Sequence, residues 1–386
     1  MNGNFKIASV LGIPIVVNVS WVATLFFVTS VLALRIYPEV IPVESAYRDN
    51  IGVHWAMAIA SGLAFFTSIV LHELAHSVIA RSQGIPVKSI TLFIFGGVSQ
   101  IAGEARRPLH EFIMAIVGPL TSLLIAGGCF AVWFVLGQSD EAPASLVLEW
   151  LFMMNLVLAI FNMAPGFPMD GGRVLRSVLW GFSGNLLKAT RLATLTGRGL
   201  GYALMFFGFA TLIGVVDIFD PWSGVWMGLL GMFLESSAKQ SWFQARAMEA
   251  LSKYKTEDVM AEDTETVTEL EPATRLADRG GRHFAYFVTD IDDRVVGVDT
   301  EKELETQKPG TVRTLNAGQL MLRPEDVQTA APAETGDMLL QRMETDALWH
   351  LPVVSDGRLI GVVSKEKLLL LLARALIPQA RQRPFV

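Results

Sequence analysis

Several stretches of this chain contain no Lys, Arg, Asp or Glu, among them Ile7–Leu34, Ile51–His72, Phe112–Ser139, Trp150–Met169, Gly199–Val216 and Pro221–Leu234. A helix crossing a bilayer needs about 20 mostly apolar residues. It must also satisfy its own backbone groups, because hydrocarbon offers no partners. The stretches therefore read as membrane helices. The first is longer than one span. Its start, Phe5 to Ser20, is rich in Val and Ile and carries Gly12-Ile13-Pro14, the pattern of a strand or hairpin. The span proper is expected from near Trp21 to Ile36, before Pro38, and the last stretch is expected to continue to about Phe243. Six spans result.

The charge balance divides the chain of 386 residues near Ala245. Residues 1–245 hold 13 basic and 13 acidic groups, whereas residues 246–386 hold 18 and 24, the whole net charge of −6. A membrane domain over 1–245 followed by a soluble domain over 246–386 is expected. The acidic tail disfavours a nucleic-acid partner, which requires basic surface. One cysteine, Cys129, excludes a disulfide scaffold and a cysteine metal cluster. The start has one lysine, Lys6, and no clear small-residue cleavage site, so it does not read as a cleaved signal. Arg81, Lys88, Arg106 and Arg107 fall between spans two and three, and Arg173, Arg176, Lys188, Arg191 and Arg198 between four and five. The positive-inside rule then puts both termini and the acidic domain in the cytoplasm of a multi-pass cell-membrane protein.

Span two contains His72-Glu73-Leu74-Ala75-His76. Histidines four apart share one helix face, and two neutral imidazoles so placed can hold one zinc ion. Glu73 can reach a metal-bound water and act as general base. Ionisable groups inside an apolar span are costly and point to function. Residue 72 lies eleven positions before Gln83, or ~16 Å below the cytoplasmic surface. A catalytic zinc usually takes three protein ligands. His54 is ~27 Å from His72 along one helix, and His110 lies at an inner loop end. Asp170 is the better third ligand. It follows Pro165 and Pro168, which cannot continue a regular helix, at the inner end of span four.

His72-Glu73-x-x-His76, together with Asn162-x-x-Pro165-x-x-Pro168-x-Asp170-Gly171-Gly172, resembles the site-2 protease family of intramembrane zinc metalloproteases. The resemblance covers the membrane half and extends to Gly118-Pro119-x-x-Ser122. It implies Zn2+ held by His72, His76 and Asp170, with Glu73 as base and acid. It also implies that Asn162 positions substrate or polarises the scissile carbonyl. The implied substrate is a membrane-spanning partner protein, trimmed first by another protease.

Between spans two and three, Val87 to Ile101 reads as strand, turn, strand, with Gly96-Gly97 as the hairpin turn. This membrane-associated hairpin would offer an edge strand to substrate, with Ile94, Phe95, Gly96 and Gly97 as contact residues.

In the tail, residues about 256–306 and 314–373 suggest a repeated unit. The second carries Ala317-Gly318-Gln319-Leu320-Met321, then His350–Gly357 and Leu359–Ser364. It resembles one member of a tandem CBS-domain pair, and the first unit resembles the other more weakly. The resemblance implies a regulatory module that binds an adenine nucleotide, ATP or AMP, or that joins two chains as a homodimer. The family's Gly-x-x-Thr/Ser-x-x-Asp pattern falls on Gly297 to Glu303 in unit one and on Gly361, Ser364 and Lys367 in unit two. Glu303 and Ser364 are the candidate nucleotide contacts, whereas Lys367 cannot accept a hydrogen bond from a ribose hydroxyl.

The fold class expected is a polytopic α-helical membrane domain followed by an α/β CBS pair, and the function an intramembrane zinc endopeptidase. Two other classes fit parts of the pattern. A CBS-gated transporter or channel would spread titratable residues through several spans, whereas here they concentrate in two motifs. An inactive homologue serving as a membrane chaperone would not need His72, Glu73, His76 and Asp170 together.

Overall fold

The computed structural model describes residues 3–94, 96–101, 103, 105–136, 142–216, 220–261, 266–275, 285–292, 294–300, 315–321, 328–346, 348–356 and 358–376. The chain forms two compact units, Met1–Phe243 and Gln244–Val386.

The first unit opens with the hairpin β1 (Asn4–Val10) and β2 (Ile13–Asn18). Its turn, Leu11-Gly12, has positive φ at both residues, the backbone that matches strand twist in a two-residue loop. β2 buries Ile13, Ile15 and Val17 in strict alternation, the period of a strand with one covered face. It pairs in parallel with β3 (Val87–Phe93), and β3 pairs with β4 (Gly96–Ile101), giving the order β1-β2-β3-β4.

The long helices follow from composition. α1 (Val19–Val31) is capped by Asn18, runs through a π-helical stretch Leu32–Ile36 and continues into α2 (Tyr37–Val40). The first span therefore passes Pro38, two residues beyond the π-helical stretch, the kind of local irregularity that accompanies a proline inside a helix. α3 (Ile51–Ser82) has 32 residues and Asn50 as its cap. α4 (Pro108–Val135) and α5 (Pro143–Asn162) follow. α5 starts seven residues before the charge-free stretch and includes Glu149. Among the described residues, four helical segments are long and apolar enough to cross a membrane: Val19–Val40, Ile51–Ser82, Pro108–Val135 and Pro143–Asn162. Their outer surfaces expose Phe26, Leu124 and Val157, as helices in contact with lipid do. The other two expected spans lie in α7 (Leu186–Leu212) and α8 (Pro221–Leu251). α7 and α8 touch backbone to backbone where Gly201 meets Gly231 and Gly208 meets Gly224, the small-residue contact typical of membrane helix pairs. Between α5 and α7 the chain leaves regular helix over residues 163–169, then enters α6 (Asp170–Ser183), as the two prolines require.

In the second unit, β5 (Thr266–Thr268), β6 (Ala285–Thr289) and β7 (Val295–Thr300) form one sheet, and β8 (His350–Ser355) with β9 (Arg358–Ser364) form another. The short helices are α9 (Thr256–Val259), α10 (Ala317–Leu320), α11 (Gly336–Thr345) and α12 (Lys365–Leu376). Packing crosses the linear repeat boundaries at 256–306 and 314–373. Val259 of α9 is buried with Leu339, Met343, Leu351, Val353 and Val363, in the core of the second repeat. Ala317 of α10 is buried with Val267, Tyr286 and Val288, in the core of the first. Met260 lies against Gly361, and Met321 against Gly297. A four-residue helix buries too little surface to stand alone, so each completes the core of the other half.

Candidate metal and catalytic site

α3 brings His72 and His76 to one face, one turn apart and both buried. Their Nε2 atoms lie 3.2 Å from each other, and Asp170 Oδ2 lies 3.1 Å from the first and 3.2 Å from the second. Asp170 arrives as the first residue of α6, at the end of the unwound segment after α5. Among the described residues, these three form a cluster of potential metal ligands within 4.8 Å of one another.

The second nitrogen of each imidazole is also engaged. His72 Nδ1 lies 2.9 Å from Ser122 Oγ, and His76 Nδ1 lies 2.6 Å from the Met114 carbonyl. A carbonyl only accepts, so His76 Nδ1 carries the proton and donates it. His76 Nε2 then turns a lone pair toward Asp170 and His72. Both partners belong to α4, which passes so close that a Cβ on Gly118 would stand 2.1 Å from His76 Nε2 and 2.7 Å from His72 Nε2. Only glycine leaves that space open.

Glu73 faces the sheet and is half-buried. Its Oε2 accepts from the Ser99 N–H at 3.1 Å and the Ser99 hydroxyl at 2.8 Å. Asn162 is the last residue of α5 and half-buried. The hairpin corrects one expectation. Gly96-Gly97 is not the turn: Phe93 pairs with Gly96 and Leu92 with Gly97, so both glycines belong to β4. Gly97 has a packing reason to be there, since a Cβ on it would stand 2.7 Å from Glu73 Cγ. The turn falls after Phe93, where Ile94 is 46% exposed, and Phe95 lies outside the described residues. β3 is covered on both sides by β2 and β4, so the free edge of this hairpin belongs to β4, and β1 is the other edge of the sheet.

Two more groups escape a linear reading. Arg176, counted above among the loop charges, is buried on α6. Its Nε donates to Glu111 Oε1 of α4 at 2.6 Å, and its guanidinium stacks 5.3 Å from the Phe167 ring centre. A pair buried this deeply binds α6, and Asp170 with it, to α4, because separating the charges would strand both in low dielectric. Ser122 was visible as part of a motif, but its contact with His72 spans 50 residues and no spacing rule announces it. In the second unit, Ser364 Oγ accepts from Lys367 N–H at 3.3 Å and so caps α12, and Glu303 lies outside the described residues.

Residues 60–140 and 136–207 match the model of peptidase family M50, and residues 317–374 match the CBS domain. A Synechocystis protein named as a candidate zinc metalloprotease, sll0528, is 30% identical over 378 residues, covering 96% of this chain and 95% of the relative. Another so named, Rip3 of Mycobacterium tuberculosis, is 31% identical over 320 residues, 81% of this chain and 80% of its own. Among solved structures, the site-2 protease from Methanocaldococcus jannaschii is similar at 26% identity with a TM-score of 0.42, over 62% of this chain and 95% of that one. The family match spans the His72-Glu73-x-x-His76 helix and Asp170, and the alignment to relatives runs nearly end to end. This chain is therefore a multi-pass membrane protein of peptidase family M50, the site-2 protease type of zinc metalloprotease, and carries a CBS domain.

Proposed function

We propose that this protein hydrolyses a peptide bond in or near a transmembrane segment of another membrane protein, with zinc held by His72, His76 and Asp170. The convergence of two imidazole Nε2 atoms and one carboxylate oxygen beside an apolar helix carries this reading. Tetrahedral zinc with ligands at 2.0–2.1 Å sets them about 3.3 Å apart. The separations of 3.1, 3.2 and 3.2 Å suit that ion, and Gly118 keeps the space between them clear. When bound, zinc polarises a carbonyl and lowers the pKa of water toward ~7. Glu73 takes the water's proton on its carboxylate and returns it to the departing amine. Asn162 orients the scissile segment. Stripping the purified protein with a chelator should abolish cleavage of a single-span reporter in liposomes, and stoichiometric zinc should restore it. Turnover that persists at a metal content below a tenth of an equivalent would overturn the assignment.

A substrate helix hides its peptide bonds in its own hydrogen bonds and must unwind to be cut. Freed N–H and C=O groups cost several kcal/mol each in hydrocarbon unless paired. β4, with β3 on one side only, offers them partners by strand addition. Ser99 N–H points away from β3, to Glu73, so the alternate N–H of Ile101 lies on the free edge, and proline there removes an edge donor while sparing the ladder to β3. Ile101→Pro should lower turnover at least ~tenfold with zinc retained, whereas Ile94→Pro, at the turn, should be mild. Equal turnover in both would rule out pairing on β4.

The lysine and arginine distribution supports an orientation with both termini and the acidic unit in the cytoplasm. There the CBS region would tune proteolysis by binding ATP or AMP, or pair two chains. Lys367 offers no acceptor to a ribose hydroxyl, and the Ser364 oxygen already accepts from the Lys367 N–H. Titration calorimetry on the full-length protein should therefore show no more than one nucleotide per chain. Absence of heat at millimolar ATP, ADP and AMP would leave the region a dimerising or structural role.

A further inference from the structure

Ser99 lies on β4 two residues after Gly97, so both face α3. Glu73 Oε2 takes two hydrogen bonds from this one residue, N–H at 3.1 Å and hydroxyl at 2.8 Å. The Ser99 hydroxyl is itself approached by Ser77, one turn beyond Glu73 on α3, with Oγ to Oγ 3.1 Å. Each hydroxyl has a single proton. The Glu73 backbone carbonyl competes for both protons, 2.9 Å from Ser77 Oγ and 3.1 Å from Ser99 Oγ; the shorter 2.8 Å contact gives the Ser99 proton to Glu73 Oε2, and Ser77 shares its own between that carbonyl and Ser99 Oγ. We propose that Ser99 is the positioning residue of the general base, an inference that rests on the protease reading of Glu73. Two donors saturate Oε2 and stop the carboxylate rotating about its last bond, so Oε1 is the oxygen that exchanges the proton. The same contact ties the base to the edge strand on which substrate is expected to pair, so the position of β4 is felt at Oε1. Gly97 makes the contact possible by letting the strand lie against the Glu73 stem.

The test uses full-length protein in liposomes with a single-span reporter that the wild type cleaves, comparing Ser99→Ala, Ser99→Thr, Ser77→Ala and Glu73→Gln. Zinc content and melting temperature are measured on the same preparations. Ser99→Ala should keep one zinc and an unchanged KM, while kcat falls about ten- to a hundredfold, the range for losing a hydrogen bond to a charged group. Ser99→Thr, which keeps the hydroxyl, should recover to within about threefold of wild type, and Ser77→Ala should fall by a smaller factor than Ser99→Ala. Ser99→Ala turnover within twofold of wild type, beside an inert Glu73→Gln, would overturn the proposal and leave the protease reading standing. Loss of zinc, or equal losses in Ser99→Ala and Ser99→Thr, would make Ser99 structural and overturn it too. A fully active Glu73→Gln would overturn the protease reading and this proposal together.

Discussion

Replacing Glu73 by Gln should remove cleavage while zinc stays at one equivalent. Glu73 points to Ser99 on the sheet, and the three atoms that converge belong to His72, His76 and Asp170. The amide fills the same space and still accepts from Ser99 through its oxygen, so the fold around it has no reason to change. It cannot take a proton from water at any working pH, and general base catalysis is worth about 10²–10⁴ in rate. His72→Ala or Asp170→Ala should behave differently, losing zinc as well as activity, because each removes one of three donors. Turnover and metal content measured on the same purified proteins separate the two cases. A Glu73→Gln protein that cleaves at the wild-type rate would show that the reaction does not pass through this carboxylate.

Gly118→Ala should be nearly as damaging, although it adds only one methyl group and replaces no ligand. The new carbon would stand 2.1 Å from His76 Nε2, 2.5 Å from His76 Cε1 and 2.7 Å from His72 Nε2. Carbon and nitrogen in ordinary contact need about 3.5 Å, so an imidazole must swing away or α4 must move. The imidazoles cannot swing freely, since their Nδ1 atoms are held by Ser122 and the Met114 carbonyl of that same helix. α4 in turn is fixed to α6 by the buried Arg176–Glu111 pair. The expected result is a folded protein with zinc affinity reduced about 10- to 100-fold, comparable to the loss from a disrupted ligand shell, and no measurable cleavage. Gly128→Ala is the control on the same helix. A Cβ there meets nothing within 4 Å, and alanine is the better helix former by about 1 kcal/mol. That variant should retain full zinc and turnover, with a melting temperature equal to or above wild type. If Gly118→Ala binds zinc as the wild type does, the space between the imidazoles is not where the ion sits.

The outcome of each sequence expectation follows from the range of the interaction behind it. The His72-x-x-x-His76 face was legible because helical period is local: residues four apart meet whatever surrounds them. The break before Asp170 was legible because proline acts on its own backbone. The hairpin was legible as two strands but misplaced by two residues at its turn. Gly96 and Gly97 look like turn glycines, yet they serve packing instead, with Gly97 giving Glu73 room beside β4. Arg176 reads as a loop charge from its neighbours and is a buried partner of a residue 65 positions away.

The sequence by itself therefore determined four apolar helices long enough to cross a membrane, the pair of imidazoles with Glu73 beside them, the loop that delivers Asp170 and the acidic CBS region. Each depends on hydrocarbon solubility, helical period or the covalent limits of proline, all properties of a short stretch of chain. Only the tertiary structure decided which groups hold those residues in place. The Met114 carbonyl and Ser122 aim the imidazoles, Gly118 leaves their space open, Ser99 grips the base, and Arg176 locks α6 to Glu111. It also decided that α9 and α10 exchange places between the two halves of the second unit. Those contacts join residues far apart in the chain and carry no periodic signature. They arise because an imidazole nitrogen, a carboxylate or a buried guanidinium must find a partner once water is excluded, and folding alone determines which partner lies within reach.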